Sequence, residues 1–186
     1  MSHFPIYTIQ TAPAQSAPVL ENLQQIFGFI PNIAAAMAGS PVLLKSFVPV
    51  FQNVHAGSFN ERQIQTLLLT NAVANACTWA VAFHSMLALK EGLAPADVQA
   101  LRDARPPQDA QLAALSGLSK RYIDTRGHLP DADLQAFYAA GYSQENALEV
   151  ITVVAASTMT SYLANVAHPP LEEAFEQYAW TAPAAY

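Results

Sequence analysis

The chain has 186 residues, 12% of them charged and 52% apolar, with a net charge of −6 and a single cysteine, Cys77. These figures exclude a disulfide-stapled scaffold and a multi-cysteine zinc site, disorder and, for want of any lysine- or arginine-rich run, a phosphate-binding surface for nucleic acid. The charged share is about half that of an ordinary soluble domain and Ala supplies 35 residues, so the surface is either coated with Ala, Ser, Gln and Asn or partly covered by other subunits.

Residues 1–17 read as an extended N-terminal arm with Phe4, Ile6 and Ile9 alternating. A first helix is expected from Pro18 to Phe27, ended by Gly28. Pro31 opens a short Ala-rich helix, and Ser40-Pro41 opens another with Ser as N-cap and Pro in the first turn. Pro49 should bend or interrupt that helix. Asn60 reads as the next N-cap, with Glu61 suited to the positive helix end. From there to Glu91 no Pro or Gly occurs, which is too long for one average helix. Two helices are predicted, with a break near Asn75-Ala76 and a stop at Gly92.

Further helices are expected from Pro95 to about Arg102, from Gln108 to about Thr125 and from Asp131 through Ala139. Ser143-Gln144-Glu145-Asn146 has the form of a capping box leading into a helix to about Val166. A last short helix is expected over Leu171–Tyr178, before a tail at 181–186. No strand array is visible, so the fold class is all-α, with one domain over 18–180. Gly57-Ser58-Phe59-Asn60-Glu61 recurs loosely as Gly127-His128-Leu129-Pro130-Asp131, and a turn followed by a helix start accounts for most of that match. Ile151 to Ala156 is the most apolar run, and its flanks Glu149 and Thr158 suit a buried helix rather than a membrane span. With no Lys or Arg in the first fifteen residues no secretory signal is expected, and the expected location is the cytoplasm.

The stretch Asn75 to His84 carries the candidate chemistry. A lone Cys in an apolar helix is ordinarily a small buried hydrophobe, and a lone His there a satisfied core residue. Cys77 and His84 are separated by roughly 10 Å along a helix axis, beyond a direct hydrogen bond. If a helix starts near Asn75-Ala76, Cys77 lies in its first turn, where free N–H groups lower a thiol pKa. Such a thiol can form a sulfenic acid that an external thiol reduces. Phe47, Phe51, Trp79 and Phe83 are either core residues or the wall of an apolar pocket. His55 suits a helix end, with the cleft between the core helices as the alternative; His3 and His128 read as surface residues and His168 as a helix stop. No metal or cofactor is expected, since no ligand pair flanks His84 at helical spacing.

Several segments together resemble a known family over most of the chain. They are Phe27-Gly28-Phe29-Ile30-Pro31-Asn32, Ser40-Pro41, Gly57-Ser58-Phe59, Asn75-x-Cys77 with His84, Gly92-Leu93-Ala94 with Val98 to Leu101, and Gly141-Tyr142-Ser143 with Leu148-Glu149-Val150. This layout is similar to the carboxymuconolactone decarboxylase superfamily, in its alkylhydroperoxidase D (AhpD)-like branch. The resemblance implies an all-α, AhpD-like helical bundle that assembles as a homotrimer or homohexamer. It also implies a redox centre of the form Glu…Cys-x-x-Cys-x-x-x-His. By position the first, resolving cysteine is Cys77 and the histidine is His84. The second, peroxide-facing cysteine falls on Ala80 and the glutamate on Gln65.

The site residues are accordingly Cys77, His84 and Gln65, and three functions stay open. The first is a thiol peroxidase of weakened or altered type, served by an external thiol reductant. The second is a non-redox enzyme of the decarboxylase type, with His84 as general acid or base, Trp79 beside it and Arg62 as a remote anchor for a carboxylate. The third is a non-catalytic oligomeric protein that binds a small molecule.

Overall fold

A computed structural model describes residues 4–183. The expectations for His3, for the first three residues of the arm and for the last three of the tail lie outside those residues. Among the described residues nine α-helices follow one another: α1 Ala17–Phe27, α2 Asn32–Met37, α3 Pro41–Ala56, α4 Glu61–Ala74, α5 Thr78–Lys90, α6 Pro95–Arg102, α7 Ala110–Thr125, α8 Asp131–Ala139 and α9 Gln144–Ala167. Among the described residues there is no strand, and the all-α expectation holds.

Several local expectations are corrected. Helix α3 runs through Pro49 without interruption. Pro49 and Lys45, whose carbonyl loses its partner to the proline, are both exposed, so water can take the missing bond. The segment expected as a helix over Leu171–Tyr178 is a 3-10 helix confined to Glu173–Tyr178. The arm is not extended throughout: it turns at Thr8–Thr11 and again before Ser16, and Tyr7, Ile9 and Ala12 pack on the core. The two loosely repeated turns differ in backbone, since Gly57 is extended and Gly127 has φ +83.

Helix α4 is the axis of the fold. Every residue from Ile64 to Val73 is buried. One side meets the first core cluster through Leu69, Ala72 and Val73, beside Met37, Leu44 and Val81. The other meets the second cluster through Ile64, Leu67 and Leu68, beside Leu115, Phe137 and Val150. A helix enclosed on all sides must pair its polar side chains inside the protein. Thr70 Oγ1 donates to the Thr66 carbonyl and pairs with Ser116 of α7, and Ser119 Oγ donates to Asn71 Oδ1. The Asn71 Nδ2 group is left without a partner.

The predicted break between α4 and α5 has a defined chemistry. The N–H of Ala76 donates to the Val73 carbonyl and that of Cys77 to the Ala72 carbonyl. This pair of bonds is a Schellman helix stop, with Ala76 in its left-handed position at φ +51. Asn165 of α9 pins the turn by donating Nδ2–H to the Asn75 carbonyl. Cys77 then caps α5 with its backbone carbonyl, which accepts from Val81 N–H, while its side chain enters the core.

Helix α9 is long and apolar enough to cross a membrane by length and composition. In this fold it is a bundle helix: Val150, Val153, Ala156 and Ala164 are buried, and it packs on α3, α4 and α7. Its opposite face exposes Leu148, Ile151, Tyr162 and Val166.

Ala76 occupies a conformation that disfavours any side chain. Ala76→Gly is expected to stabilise the protein by about 1 kcal/mol, the relief of left-handed strain less the added entropy of the unfolded chain. Urea unfolding of the two proteins measures it, and an unchanged or lowered midpoint would contradict the strain.

Candidate active site

A cavity of about 470 Å³ opens between α1, α2, α3, α4 and α5. Its walls are apolar and aromatic. Leu23, Ile26 and Phe27 come from α1, Phe47 and Phe51 from α3, and Trp79, Phe83 and Leu87 from α5. Phe47 and Phe51 lie 5.4 Å apart between ring centroids, and Trp79 and Phe83 5.1 Å apart, so the aromatic pairs form continuous surfaces. The four aromatic residues singled out in the sequence therefore line a pocket as well as the core. Trp79 is held in place from outside the cavity: its Nε1–H donates to Glu172 Oε2 at 3.0 Å, and Glu172 Oε1 accepts from Asn32 N–H at 2.7 Å.

The polar end of the cavity is formed by His84 and Gln65, with His55 and Glu61 beside them. His84, in the middle of α5, is buried. Its Nδ1–H donates to Gln65 Oε1 at 3.0 Å, across the α4–α5 interface. That bond fixes the tautomer and leaves Nε2 as an acceptor. Burial, with a smaller contribution from charge on His55, lowers the His84 pKa to about 3. His84 is thus a neutral imidazole at physiological pH, and Gln65 is a neutral partner that orients it. A carboxylate in place of Gln65 would instead stabilise the imidazolium.

His55 ends α3 and Glu61 begins α4. His55 Nδ1–H donates to Glu61 Oε1 at 2.9 Å, and the imidazole packs on Phe51 with ring centroids 4.9 Å apart. The sequence weighed a helix-end role for His55 against a place in the cleft; it fills both. The partnership with Glu61 went unread. Its signal was a histidine before a Gly-Ser turn and an acidic residue in the first turn of the next helix, which a tight α3–α4 connection brings together.

Cys77 is placed elsewhere. It is fully buried and is not among the residues that line the cavity. Ala80, at the position the family gives to its second cysteine, is buried and absent from the lining as well. The expected lowering of the thiol pKa is corrected: burial pushes it up. The amides of Ala80 and Trp79 and the Ser161 hydroxyl pull it down, but burial outweighs them. The sulfur makes no side-chain cap to α5, and the donors at the helix start do not offset the cost of burying a thiolate. Of the three expected site residues, the structure unites His84 with Gln65 and sets Cys77 apart from the pocket.

No Lys or Arg lines the cavity among the described residues, and Arg62 does not reach it. A second cavity of about 650 Å³ lies between α6, α7 and the C-terminal segment. Its cations are committed: Arg102 to Ser85 Oγ and the carbonyls of Tyr178 and Ala179, Arg105 to Asp103, and Lys120 to Asp124.

By sequence the chain matches no family profile and no curated protein. By structure it matches a peroxidase-related protein of Ralstonia eutropha JMP134 with an alkylhydroperoxidase AhpD core, at TM-score 0.81 and 17% identity over 94% of both chains. The chain has the AhpD fold. A peroxidase-related protein of Silicibacter sp. TM1040 matches at TM-score 0.74 and 15% identity, over 93% of this chain and 92% of that one. A cysteine-to-alanine form of the debrominase Bmp8, in complex with 2,3,4-tribromopyrrole, matches at TM-score 0.74 and 18% identity, over 96% and 97% of the two chains.

Two outcomes test this geometry in the AhpD-fold protein. The folded pKa of His84, about 3, lies below its ordinary value of 6.5, so the unfolded chain takes up the proton first. Stability should be full above that ordinary value and fall as the pH drops below it, with a slope approaching about 1.4 kcal/mol per pH unit. Chemical denaturation at a series of pH values reads this slope, and His84→Gln should remove it. Cys77 should resist iodoacetamide in the native protein and react at the rate of a free thiol only in denaturant. Rapid labelling in native buffer at neutral pH would contradict its burial.

Proposed function

We propose that this protein acts on a small, neutral, largely apolar molecule through a non-redox site centred on His84, with no part for Cys77. The observation that carries this reading is the placement of the two residues: the cavity opens onto His84 and leaves Cys77 outside its lining. A dithiol cycle needs a second thiol, and Ala80 stands in that position. Peroxide reduction by Cys77 alone would need access and a low pKa, whereas the thiol is enclosed and its pKa is raised.

The cavity chemistry narrows the ligand. Aromatic walls favour a flat ring. The neutral His84 Nε2 is an acceptor, suited to one O–H or N–H of the ligand. With no Lys or Arg in the lining, nothing compensates an anion, which weighs against a carboxylated lactone. The complex of the structurally similar debrominase with tribromopyrrole is consistent with this class, since that molecule is a flat apolar ring.

Quenching of tryptophan fluorescence by beta-naphthol and by naphthalene sulfonate tests the reading. The naphthol should bind and the sulfonate should not. His84→Leu should weaken naphthol binding by about tenfold, the worth of one hydrogen bond. Cys77→Ala should leave it unchanged. Peroxide turnover supported by a dithiol and lost in Cys77→Ala would overturn the proposal in favour of thiol chemistry.

A further inference from the structure

We propose that His55 and Glu61 are the proton-delivering pair of this cavity, and that the site converts the enol form of a small neutral ketone into its keto form. This inference rests on the reading above, in which a neutral molecule is held against His84. It starts from an asymmetry between two histidines that share one pocket.

His84 is enclosed, bonded to an uncharged amide and kept neutral. His55 is partly open to solvent and bonded to a carboxylate. A carboxylate on Nδ1–H orients an imidazole and stabilises its protonated form. Both helix termini act in the same sense: His55 lies in the last turn of α3, where a cation is favoured, and Glu61 in the first turn of α4, where an anion is favoured. One histidine is backed by a carboxylate and the other by an uncharged amide. Two histidines lining one cavity with such different partners are suited to serve as the acid and the acceptor of a site.

The pair is also held rigidly. The α3–α4 connection is tied to α9 by Glu149, which accepts from Ser58 N–H at 3.0 Å and from the Ser58 hydroxyl. Asn146 Nδ2–H donates to the same hydroxyl at 2.6 Å. The bare Cα of Gly57 allows this approach, since a Cβ there would lie 3.0 Å from Glu149 Oε1.

In the proposed step the protonated His55 gives its Nε2 proton to the enol carbon. That N–H bond breaks and a C–H bond forms with the electron pair of the C=C bond. The enol oxygen supplies the electrons of the new C=O bond, and its proton passes to His84 Nε2 and on to water. A protonated carbonyl is a far stronger acid than an imidazolium, so even a histidine that resists charge accepts this proton. Water returns a proton to His55, and no oxidant or reductant takes part. The titratable groups facing the cavity are His55, Glu61, His84 and Glu91.

The test follows benzoylacetone, a flat neutral diketone whose enol absorbs in the ultraviolet, after dilution from organic solvent into buffer. The full-length protein should accelerate loss of the enol band. His55→Gln should lower kcat by roughly 10²–10⁴-fold with little change in KM, and Glu61→Gln by about 10–100-fold. Glu61→Gln, like His55→Gln, should act on kcat and leave KM nearly unchanged. Both side chains are partly exposed, and circular dichroism checks that each variant keeps its helices. An acceleration unchanged in His55→Gln would overturn the assignment. Decay no faster than with equimolar imidazole, while benzoylacetone still quenches tryptophan fluorescence, would sink the proton-transfer pair and leave the binding cavity standing. Absence of any quenching would sink both.

Discussion

A helix with no face toward water has to find its hydrogen-bond partners in its neighbours, and α4 is such a helix. From Ile64 to Val73 it is buried, yet it carries Gln65, Thr66, Thr70 and Asn71. Those side chains decide how the surrounding helices sit. Thr70 and Asn71 meet Ser116 and Ser119 of α7, which fixes one side, and Gln65 meets His84 of α5, which fixes the other. A slip of α5 along α4 would leave buried polar groups unpaired at a cost of about 1–3 kcal/mol each. The register that places His84 in the cavity wall is therefore held by the same constraint that holds the core together.

The Gln65–His84 bond also settles the electrical character of the site. An amide partner orients the ring but gives no charge to balance an imidazolium, and burial then keeps His84 neutral. The charge-bearing chemistry is displaced one helical turn along α4 to Glu61, and across the α3–α4 turn to His55. The pocket consequently combines an uncharged acceptor with a carboxylate-backed imidazole. Cys77, meanwhile, has become a structural residue: its N–H closes the Schellman turn, its carbonyl starts α5, and its side chain fills the core.

Much of the fold was legible because local chemistry marks helix ends strongly. Asn60 and Ser143 cap α4 and α9 with reciprocal side-chain bonds, Gly28 ends α1 in a left-handed turn, and the break after Ala74 follows from helix length alone. Pro49 was misread because the sequence does not say which side of a helix faces water, and on the wet side a missing bond is tolerated. Cys77 was misread for a related reason. Its position at a helix start was correct, but the thiol responds to burial, and burial depends on the packing of α9 around it.

The sequence by itself determined that the chain is all-α, where most of its helices begin and end, and that His84 and Gln65 belong to one site. These follow from capping, periodicity and spacing, which act over a few residues, and from motif positions that resemble a known family. Only the tertiary structure decided which histidine is neutral, that His55 and Glu61 join it, and that the cavity passes Cys77 by. Each of these depends on desolvation and on contacts between segments distant in the chain, and neither is encoded in any short stretch of it.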